Sequence, residues 1–471
     1  MHGQDPCTDY LPTVIWRRAR KFIQTLLHEG DKTHQRTPPE CKQEQPSETS
    51  SGDNLTIAGR GESGNLHVHR KKNVQPFFMI LSTPSCHAPF TPEEKYSSNF
   101  SDCQTPRTSN FNVKNDKSKH WLLRIGEQPL SEGLVEKIDD IFRNRLRTLL
   151  SVDDMVGDVV SLLREKNLLD NTYVIFTSDN GYHLGQFSLP LDKRQPYEFD
   201  IRVPLFFRGP GIQEGVVLPQ STINVDLAPT ILDLAGVPVP KNMDGISLKP
   251  LLLHNSFTNS LHETFKDNED NDSIVENETE ASSVNSNVSA NSNLNSVSAR
   301  NSIDNNNART LSSNSYSRNF LIEHNGEGYP EQSSVECAHL GSGLYGCTSE
   351  FDCKCSDSWN NTFACVRQLH VSQTVTLFST VDDEDGEGNE DAREFKNEEI
   401  GDPSSASEYK IVKNTVFCKW KDNDNFIEYY DLGKDVDQLN NTVSDLSDTE
   451  RLYYLELLGK LQKCSGKSCF S

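Results

Sequence analysis

The sequence has few basic residues for its length. Its 46 lysines and arginines are outnumbered by 69 aspartates and glutamates, so the formal net charge is -23. Nucleic-acid phosphates are held by basic surfaces, and this balance therefore argues against a nucleic-acid-binding protein. The same charge disfavours general attraction of polyanions. An anionic substrate would need a local pocket of positive charge.

Apolar residues are also scarce. Hydrophobic residues make up 34% of the chain and the mean hydropathy is -0.63, whereas ordinary globular domains are about 45–50% apolar by a similar count. No apolar run reaches about 18 residues, so the sequence predicts no transmembrane helix. We therefore expect part of the 471 residues to be unfolded and the rest to form ordinary domains, of which this length allows about three.

No secretory signal is found at the N-terminus, although the cysteines are typical of a secreted protein. The apolar stretch Val14-Ile15-Trp16 ends at Arg17, and a signal needs about 7–15 apolar residues. Eight clustered cysteines nevertheless indicate a disulfide framework, because the spacing of a zinc site is missing. They are Cys337, Cys347, Cys353, Cys355, Cys365, Cys418, Cys464 and Cys469. We expect the natural chain to extend upstream of Met1.

Glycosylation sequons point the same way. The chain has N-x-S/T sequons that are compatible with a glycoprotein, although each alone is a weak signal. They begin at Asn54, Asn99, Asn271, Asn277, Asn287, Asn360 and Asn440.

Composition divides the chain into four ranges. Residues 1–72 predict a short helix over 10–28 followed by a disordered, degenerate segment. Residues 73–255 predict an α/β domain, and the Asn/Ser-rich range 256–318 predicts a disordered insertion. Residues 319–471 predict a small disulfide-bonded α+β domain, interrupted by an acidic loop over 382–399.

Periodicity within 73–255 alternates between strands and helices. Short apolar runs predict strands at 77–81, 173–176 and 203–207. A spacing of three and four residues predicts a helix over 133–167, and a second helix is expected over 226–234. This order predicts an α/β fold with a mainly parallel sheet flanked by helices.

An acidic and an amide side chain follow the second predicted strand. Asp179 and Asn180 precede Gly181, and ligands bind beyond the carboxyl ends of parallel strands. Carboxylate and amide oxygens suit Ca²⁺ or Mg²⁺. The alternative is a plain turn, because Asp-Asn-Gly is common in turns.

The residues around this tripeptide resemble the sulfatase family. Residues 173–212 read YVIFTSDNGYHLGQFSLPLDKRQPYEFDIRVPLFFRGPGI. Similar stretches are PFFMILSTPSCHAPF at 76–90, DLAPTILDLAG at 226–236, NNTFACVR at 360–367 and CSGKSC at 464–469. The resemblance covers roughly 73–255 and 319–471.

The resemblance implies a fold, a reaction and a location. It implies an alkaline-phosphatase-like α/β domain with a smaller C-terminal domain. The implied activity is hydrolysis of the 6-sulfate of N-acetylglucosamine in heparan or keratan sulfate, so the implied partner is a sulfated glycosaminoglycan. The family nucleophile is a formylglycine made from the cysteine of a C-x-P-S-R motif, or from a serine in its place, and one Ca²⁺ binds the sulfate. A lysosomal or secreted location is implied.

Four residues of this chain match family positions, and a fifth, His183, lies four residues after Asp179. Asp179 and Asn180 match the later pair of metal ligands, and Lys193 matches a lysine that donates to the sulfate. His87 matches a histidine that contacts the sulfate or the leaving group. His183 is expected to line the pocket, and its alternative is a buried, hydrogen-bonded histidine. The alternative for Lys193 is a surface lysine.

Other family features have no counterpart. No cysteine lies in C-x-P-S-R: Cys103 begins C-Q-T-P-R, with proline one position too late. Cys86 precedes His87, but neighbours on a strand point to opposite faces. Asp153 and Asp154 fall in the predicted helix and are expected on its solvated face. We therefore expect the N-terminal strands to be missing, the Ca²⁺ shell to be incomplete and the chain to be inactive alone.

Two other functions stay open. A non-catalytic relative would bind a sulfated glycan or a protein partner without turnover. An extracellular endosulfatase acting on heparan sulfate would share the pattern after Asp179. The family member of that type carries a long basic insertion, whereas the insertions here are Asn/Ser-rich or acidic.

Overall fold

The structure, a computed structural model, describes seven stretches of the chain. They are residues 11–28, 76–254, 308–347, 349–351, 355, 357–378 and 405–470. The chain divides into two compact units, Met1–Thr105 with Glu136–Thr172 and Pro106–Val135 with Tyr173–Ser471. The expected disordered segment after residue 28 and the acidic loop 382–399 lie outside the described stretches. Among the described helices, none combines the length and the apolarity that a membrane span requires.

The first unit contains the helix α1, Leu11–His28, and most of the helix α2, Glu132–Glu165. Both helices lie where the sequence predicts them. Their buried side chains recur every three or four residues, as an amphipathic helix requires. Ala19 and Ile23 are buried on α1, and Val152, Val159 and Leu163 on α2.

One predicted strand in the first unit does not form. Residues 77–81 have no strand in the structure, although their apolar run favours one. Phe78 is 63% exposed and Ile80 is 71% exposed. A strand needs a hydrogen-bonded neighbour, and no described strand pairs with this segment.

The second unit contains an antiparallel ribbon of two strands. Strand β1, Val174–Thr177, pairs with β2, Leu205–Arg208. The α/β class is confirmed, but every strand pairing among the described residues is antiparallel rather than parallel. The chain between β1 and β2 folds back along itself instead of making the long crossover that parallel strands require. The short helix α3, Glu198–Ile201, lies on the returning arm.

The C-terminal region is a four-stranded antiparallel sheet in the order β3-β6-β7-β8. Its strands are Ala308–His324, Phe363–Phe378, Ser405–Trp420 and Ile427–Asp431. The small strands β4, Leu344–Tyr345, and β5, Asp357–Ser358, pair with each other. Residues 308–318 belong to β3, so the predicted insertion 256–318 extends too far. Backbone pairing with β6, which apolar periodicity does not reveal, forms this part of the strand.

Three further helices complete the described second unit. They are α4, Leu227–Leu234, α5, Lys249–His254, and α6, Asp448–Leu461. Ser447 caps α6, because its side chain accepts from the N–H of Glu450 and the Glu450 carboxylate binds back to Ser447. Tyr454 of α6 stacks on Phe417 of the sheet with ring centroids 5.0 Å apart. The sheet and this helix form the expected small α+β arrangement.

The predicted disulfide framework is confirmed for the described cysteines. Bonds join Cys337 to Cys355, Cys365 to Cys418, and Cys464 to Cys469. Cys347 is also disulfide-bonded, and Cys353 lies outside the described residues. Cys365 and Cys418 stand opposite each other on β6 and β7, so this bond ties the centre of the sheet.

One hydrophobic core is shared by the loop between β1 and β2 and the C-terminal sheet. Leu123, Phe187 and Tyr197 pack with Phe363 and Trp420 in a single buried cluster. The compact units therefore do not follow the predicted ranges 73–255 and 319–471, because residues from both ranges share this core.

A buried lysine lies in the same core. Lys119 is 2% exposed and its Nζ donates to the Tyr430 hydroxyl, 2.6 Å away, and to the carbonyl of Gln438. The ring of Phe187 lies 4.3 Å from Nζ. Burial lowers the pKa of Lys119 to about 8, against attraction by the Glu428 carboxylate.

Replacing Lys119 with methionine should remove a pH dependence of stability. Between the folded pKa of about 8 and the ordinary value of 10.5, the unfolded chain binds more protons, so the free energy of unfolding rises with pH. The slope is at most about 1.4 kcal/mol per pH unit. Urea unfolding of both proteins across this window measures it. Equal slopes in the two proteins would contradict the lowered pKa.

Candidate active site

Asp179 and Asn180 form a tight turn directly after β1. The Asp179 Oδ1 accepts from the N–H of Asn180, 2.9 Å away, and from the Ser178 hydroxyl, 3.3 Å away. Asn180 donates from Nδ2 to the carbonyl of Gly181, 2.7 Å away. Asp179 is exposed, and its Oδ2 makes no hydrogen bond in the part of the chain that the structure describes. The turn thus presents one carboxylate oxygen to solvent.

Gly181 fixes how the ribbon continues past this turn. Its N–H donates to the carbonyl of Asp200, 2.7 Å away. A Cβ atom at position 181 would lie 2.1 Å from the Phe199 carbonyl oxygen, so only glycine allows this approach. Asn224 supports the turn by donating to the carbonyls of Ser178 and Asp179, each 3.3 Å away.

His183 and Asp200 form a buried hydrogen-bonded pair within the loop between β1 and β2. The His183 Nδ1 lies 3.0 and 2.9 Å from the two Asp200 carboxylate oxygens. The same carboxylate accepts from the N–H of Gln195, 2.9 Å away, and the N–H of His183 donates to the Asp192 carbonyl, 2.9 Å away. Burial raises the pKa of Asp200, and His183 opposes that shift. His183 is 1% exposed, which favours the alternative of a buried, hydrogen-bonded histidine.

Lys193 lies on the loop that these contacts hold. Its N–H donates to the Asp192 Oδ1, 2.9 Å away. Lys193 is half-buried, and its Nζ makes no ion pair or hydrogen bond with any described residue. The loop therefore presents a lysine ammonium that is available to an anion.

Arg194 anchors the other side of the same loop. It makes ion pairs with Asp192, with Glu327 at 3.2 Å and with Asp357 at 3.3 Å. Its carbonyl accepts from the Asn361 side chain, 2.8 Å away. Although burial opposes the charge, the three carboxylates hold the pKa of Arg194 above its ordinary value. These contacts connect the Lys193 loop to β5 and to the loops before and after it.

His87 belongs to the first unit and is described by itself. Its N–H donates to the carbonyl of Pro84, 2.7 Å away, which forms a turn. The ring is exposed, and its Nδ1 lies 3.2 Å from the Ala88 carbonyl. That contact makes Nδ1 the donor, so Nε2 is the nitrogen that remains for a ligand.

Two other predicted features of the first unit keep structural roles. Asp153 and Asp154 are exposed on α2, as expected, and Asp154 accepts from Lys95 Nζ at 2.7 Å and from Tyr96. Cys86 and Cys103 are free thiols. The backbone carbonyls of both cysteines accept from arginines of α2.

The turn at Asp179 and Asn180 offers few ligands to a calcium ion. Asp179 and Asn180 offer the right type of oxygen, but Ca²⁺ takes about six to eight oxygen ligands. Among the described residues, no group of three or more His, Cys, Asp or Glu side chains could hold a metal ion. The described residues therefore supply only part of a calcium site, through the side chains of Asp179 and Asn180.

A comparison with known protein families matches the part of the chain that contains the candidate residues. Residues 64–237 match the family model described as Sulfatase. The chain carries a sulfatase domain. Asp179, Asn180, His183 and Lys193 all lie within the matched range, as does His87.

Relatives of this sulfatase domain cover different parts of the chain. The chain is 33% identical over 407 residues to the N-acetylglucosamine-6-sulfatase of Homo sapiens, which covers 85% of this chain and 54% of that protein. It is 44% identical over 181 residues to the extracellular sulfatase SULF-1 homolog of Drosophila melanogaster, covering 38% and 16%. The structure of a phosphonate monoester hydrolase from Silicibacter pomeroyi matches with a TM-score of 0.36 and 18% identity, covering 64% and 49%.

The sulfatase domain shares only part of its relatives' length. The chain spans about half the length of the N-acetylglucosamine-6-sulfatases it matches.

The sequence predicted the turn and the lysine of the candidate site, but it did not predict the residues that hold them in place. Asp200, Arg194 and Asn224 were not predicted, although they hold the loop and the turn in place. Asp200 follows Glu198 and Phe199 in sequence and carries no local signal for a buried carboxylate. Its partner His183 lies seventeen residues away, so pairing became visible only in the folded ribbon.

Proposed function

We propose that this chain is part of a sulfuric ester hydrolase that removes the 6-sulfate from N-acetylglucosamine in heparan or keratan sulfate. The observation that carries the proposal is the ammonium of Lys193. Asp192 and Arg194 on either side of it are in an ion pair with each other, whereas Lys193 Nζ has no described partner. The 33% identity to N-acetylglucosamine-6-sulfatase supports the choice of sugar.

Each proposed site residue has a chemical task. Lys193 would stabilise negative charge on the sulfate oxygens, because a fixed cation is worth most where charge develops. His87 would exchange a proton with the leaving sugar oxygen through its Nε2. Asp179 and Asn180 would contribute oxygens to a cation that grips the sulfate. His183, paired with Asp200, would act as a positioning residue for the Lys193 loop.

The proposed location and partner follow from the cysteines and the local charge. Disulfides persist in oxidising compartments, so the bonds of the C-terminal region support a lysosomal or secreted protein. A sulfated glycosaminoglycan is the proposed partner. Because the net charge is -23, local cations such as Lys193 would have to provide the attraction.

An endosulfatase acting inside heparan sulfate is a second candidate. The 44% identity to the extracellular sulfatase SULF-1 homolog is higher, though over a shorter range. Product analysis separates the two functions in a preparation that has turnover. Release of sulfate only from the non-reducing end supports the N-acetylglucosamine-6-sulfatase type, and loss of sulfate along the chain supports the endosulfatase.

Replacing Lys193 with glutamine should weaken binding of N-acetylglucosamine 6-sulfate about tenfold or more. A hydrogen bond to a charged group contributes about 1.5–3 kcal/mol, and the amide cannot supply the charge. Calorimetric or NMR titration of the 471-residue chain measures the change. Lys434→Gln is the control, because Lys434 is exposed and pairs with Asp431 at 2.9 Å. Unsulfated N-acetylglucosamine should bind both variants equally weakly.

Equal binding of the sulfated sugar by the Lys193→Gln and Lys434→Gln proteins would contradict the role of Lys193. Binding that is lost in the Lys193 variant without any turnover in the parent chain would favour a non-catalytic, glycan-binding relative.

A further inference from the structure

A small open cavity lies in the second unit, formed by the segment after His120, the turn after β5 and the turn after β7. Its volume is about 220 Å³, and its lining residues are Trp121, Asn360, Asp422, Asn423 and Asp424. Sites for independent small ligands have about 300–1,000 Å³. This cavity is therefore small for a freely diffusing ligand but suited to a single sugar unit.

The wall of the cavity is held in place by buried groups. The Asp422 side chain is 2% exposed, and its Oδ2 lies 2.8 Å from Nε2 of the fully buried His120. Its Oδ1 accepts from the N–H of Phe426, 3.3 Å away. Although burial opposes ionisation, these hydrogen bonds hold the pKa of Asp422 below its usual value. The buried Asp422 side chain thus fixes this wall of the cavity before any ligand arrives.

Asn360 is the lining residue that links the cavity to a modification. It begins the sequon Asn360-Asn361-Thr362, and its backbone N–H is held by the Ser358 hydroxyl at 3.1 Å. The Asn360 Oδ1 is buried and has no hydrogen-bond partner among the described residues. Buried polar atoms are normally satisfied, so an orphaned one calls for an explanation.

We propose that Asn360 carries an N-linked glycan whose first N-acetylglucosamine packs in this cavity against the indole of Trp121. The Asn360 Nδ2 attacks C1 of an oligosaccharide carried on a lipid diphosphate. The N–C1 bond forms, the bond from C1 to the diphosphate oxygen breaks, the amide loses one proton to the transferase and the lipid diphosphate leaves.

The chemistry of the lining matches this occupant. An indole face covers the C–H surface of a pyranose ring, while the exposed carboxylate of Asp424 accepts from a hydroxyl or the acetamido N–H of the sugar. The covalent bond to Asn360 supplies a high local concentration, so few contacts suffice. The two carboxylates, Asp422 and Asp424, disfavour a sulfated or otherwise anionic sugar. The cavity is therefore distinct in chemistry from the Lys193 site, and the proposal does not rest on the proposed function.

The chain contains a matched control. Asn440-Asn441-Thr442 repeats the same Asn-Asn-Thr sequon. Asn440 is exposed, and its backbone N–H is held by Asp435 at 2.8 Å. The two sites offer the transferase the same residues, so differences between the folded glycoproteins report on the surroundings of each sugar.

The test uses the full 471-residue chain, secreted from eukaryotic cells behind a heterologous leader. The folded glycoprotein is treated with peptide N-glycosidase in H₂¹⁸O, and mass spectrometry follows release at each asparagine. We expect both sites to be occupied and release at Asn360 to be about tenfold slower than at Asn440, which corresponds to about 1.4 kcal/mol. Trp121→Ala should bring the two rates together.

A second variant guards against misfolding, because Trp121 also packs against the buried Leu122, Leu344 and Cys337–Cys355 cluster. Asp424→Ala changes an exposed side chain of the cavity and should speed release at Asn360 several-fold, with no change at Asn440. An unmodified Asn360 beside an occupied Asn440 would overturn the proposal. Equal release rates in the parent protein, or slow release at Asn360 that neither variant changes, would overturn it as well.

Discussion

Replacing Arg318 with methionine should lower the free energy of unfolding by about 3–5 kcal/mol, because it leaves a buried carboxylate without its partner. Arg318 and Asp226 form a two-pronged ion pair with distances of 2.6 and 2.8 Å. Their side chains are 6% and 0% exposed. The Asp226 carboxylate also accepts from the N–H groups of Ile223 and Ile246, each 2.9 Å away.

This pair supports the candidate site at a distance. Asp226 closes the turn Asn224–Asp226 in front of α4, and Asn224 from the same turn holds the backbone of Ser178 and Asp179. Arg318 on β3 thus ties the C-terminal sheet to the segment that holds the Asp179 turn.

Urea unfolding of the parent chain and the variant measures the change. Arg202→Met is the control: Arg202 is 76% exposed and lies 4.0 Å from Glu198, so its loss should change stability by less than about 0.5 kcal/mol. The double variant Asp226→Leu with Arg318→Met should recover much of the loss, because no charge then stays buried. Equal effects at Arg318 and Arg202 would contradict the buried pair.

The 471-residue chain should release no sulfate from N-acetylglucosamine 6-sulfate above background. None of its cysteines lies in a C-x-P-S-R sequence, so no formylglycine nucleophile can form by the family's route. Enzymes accelerate their reactions by about 10⁶-fold or more, and losing the nucleophile should remove most of that factor. Sulfate release is measured alongside human N-acetylglucosamine-6-sulfatase as the active control.

Variants decide what any unexpected turnover would mean. If the chain does release sulfate and the Asp179→Ala substitution abolishes that release, the missing motif is not essential and the prediction is wrong. Cys86→Ser and Cys103→Ser then test the two free thiols of the described chain as nucleophiles. We expect neither substitution to matter, because Cys86 and Cys103 lie in other sequence contexts.

Local patterns in the sequence predicted several elements well. The three-to-four spacing of apolar residues indicated α2, and the β-branched run before Asp179 indicated β1. Clustered cysteines indicated the disulfides, of which Cys365–Cys418 crosses β6 and β7. Each of these signals lies within a few residues or follows from composition, so no tertiary contact is needed to detect it.

Elements that depend on a distant partner were predicted less well. The run 77–81 is apolar enough for a strand, yet no described strand pairs with it. Residues 308–318 lack apolar periodicity, yet pairing with β6 makes them part of β3. A strand is stabilised by pairing with a neighbouring strand, and the residues of the strand alone do not predict where that neighbour lies.

The charge balance, the helices α1, α2 and α4, the cysteine framework and the Asp179-Asn180-Gly181 turn with Lys193 after it could all be predicted from the sequence. The antiparallel pairing of the ribbon, the burial of His183 against Asp200 and the ion pair of Arg318 with Asp226, 92 residues away, became visible only in the folded chain. Composition, periodicity and turn chemistry are local properties of the chain. Burial and ion pairing depend on which distant segments come into contact. The packing of the whole core determines those contacts.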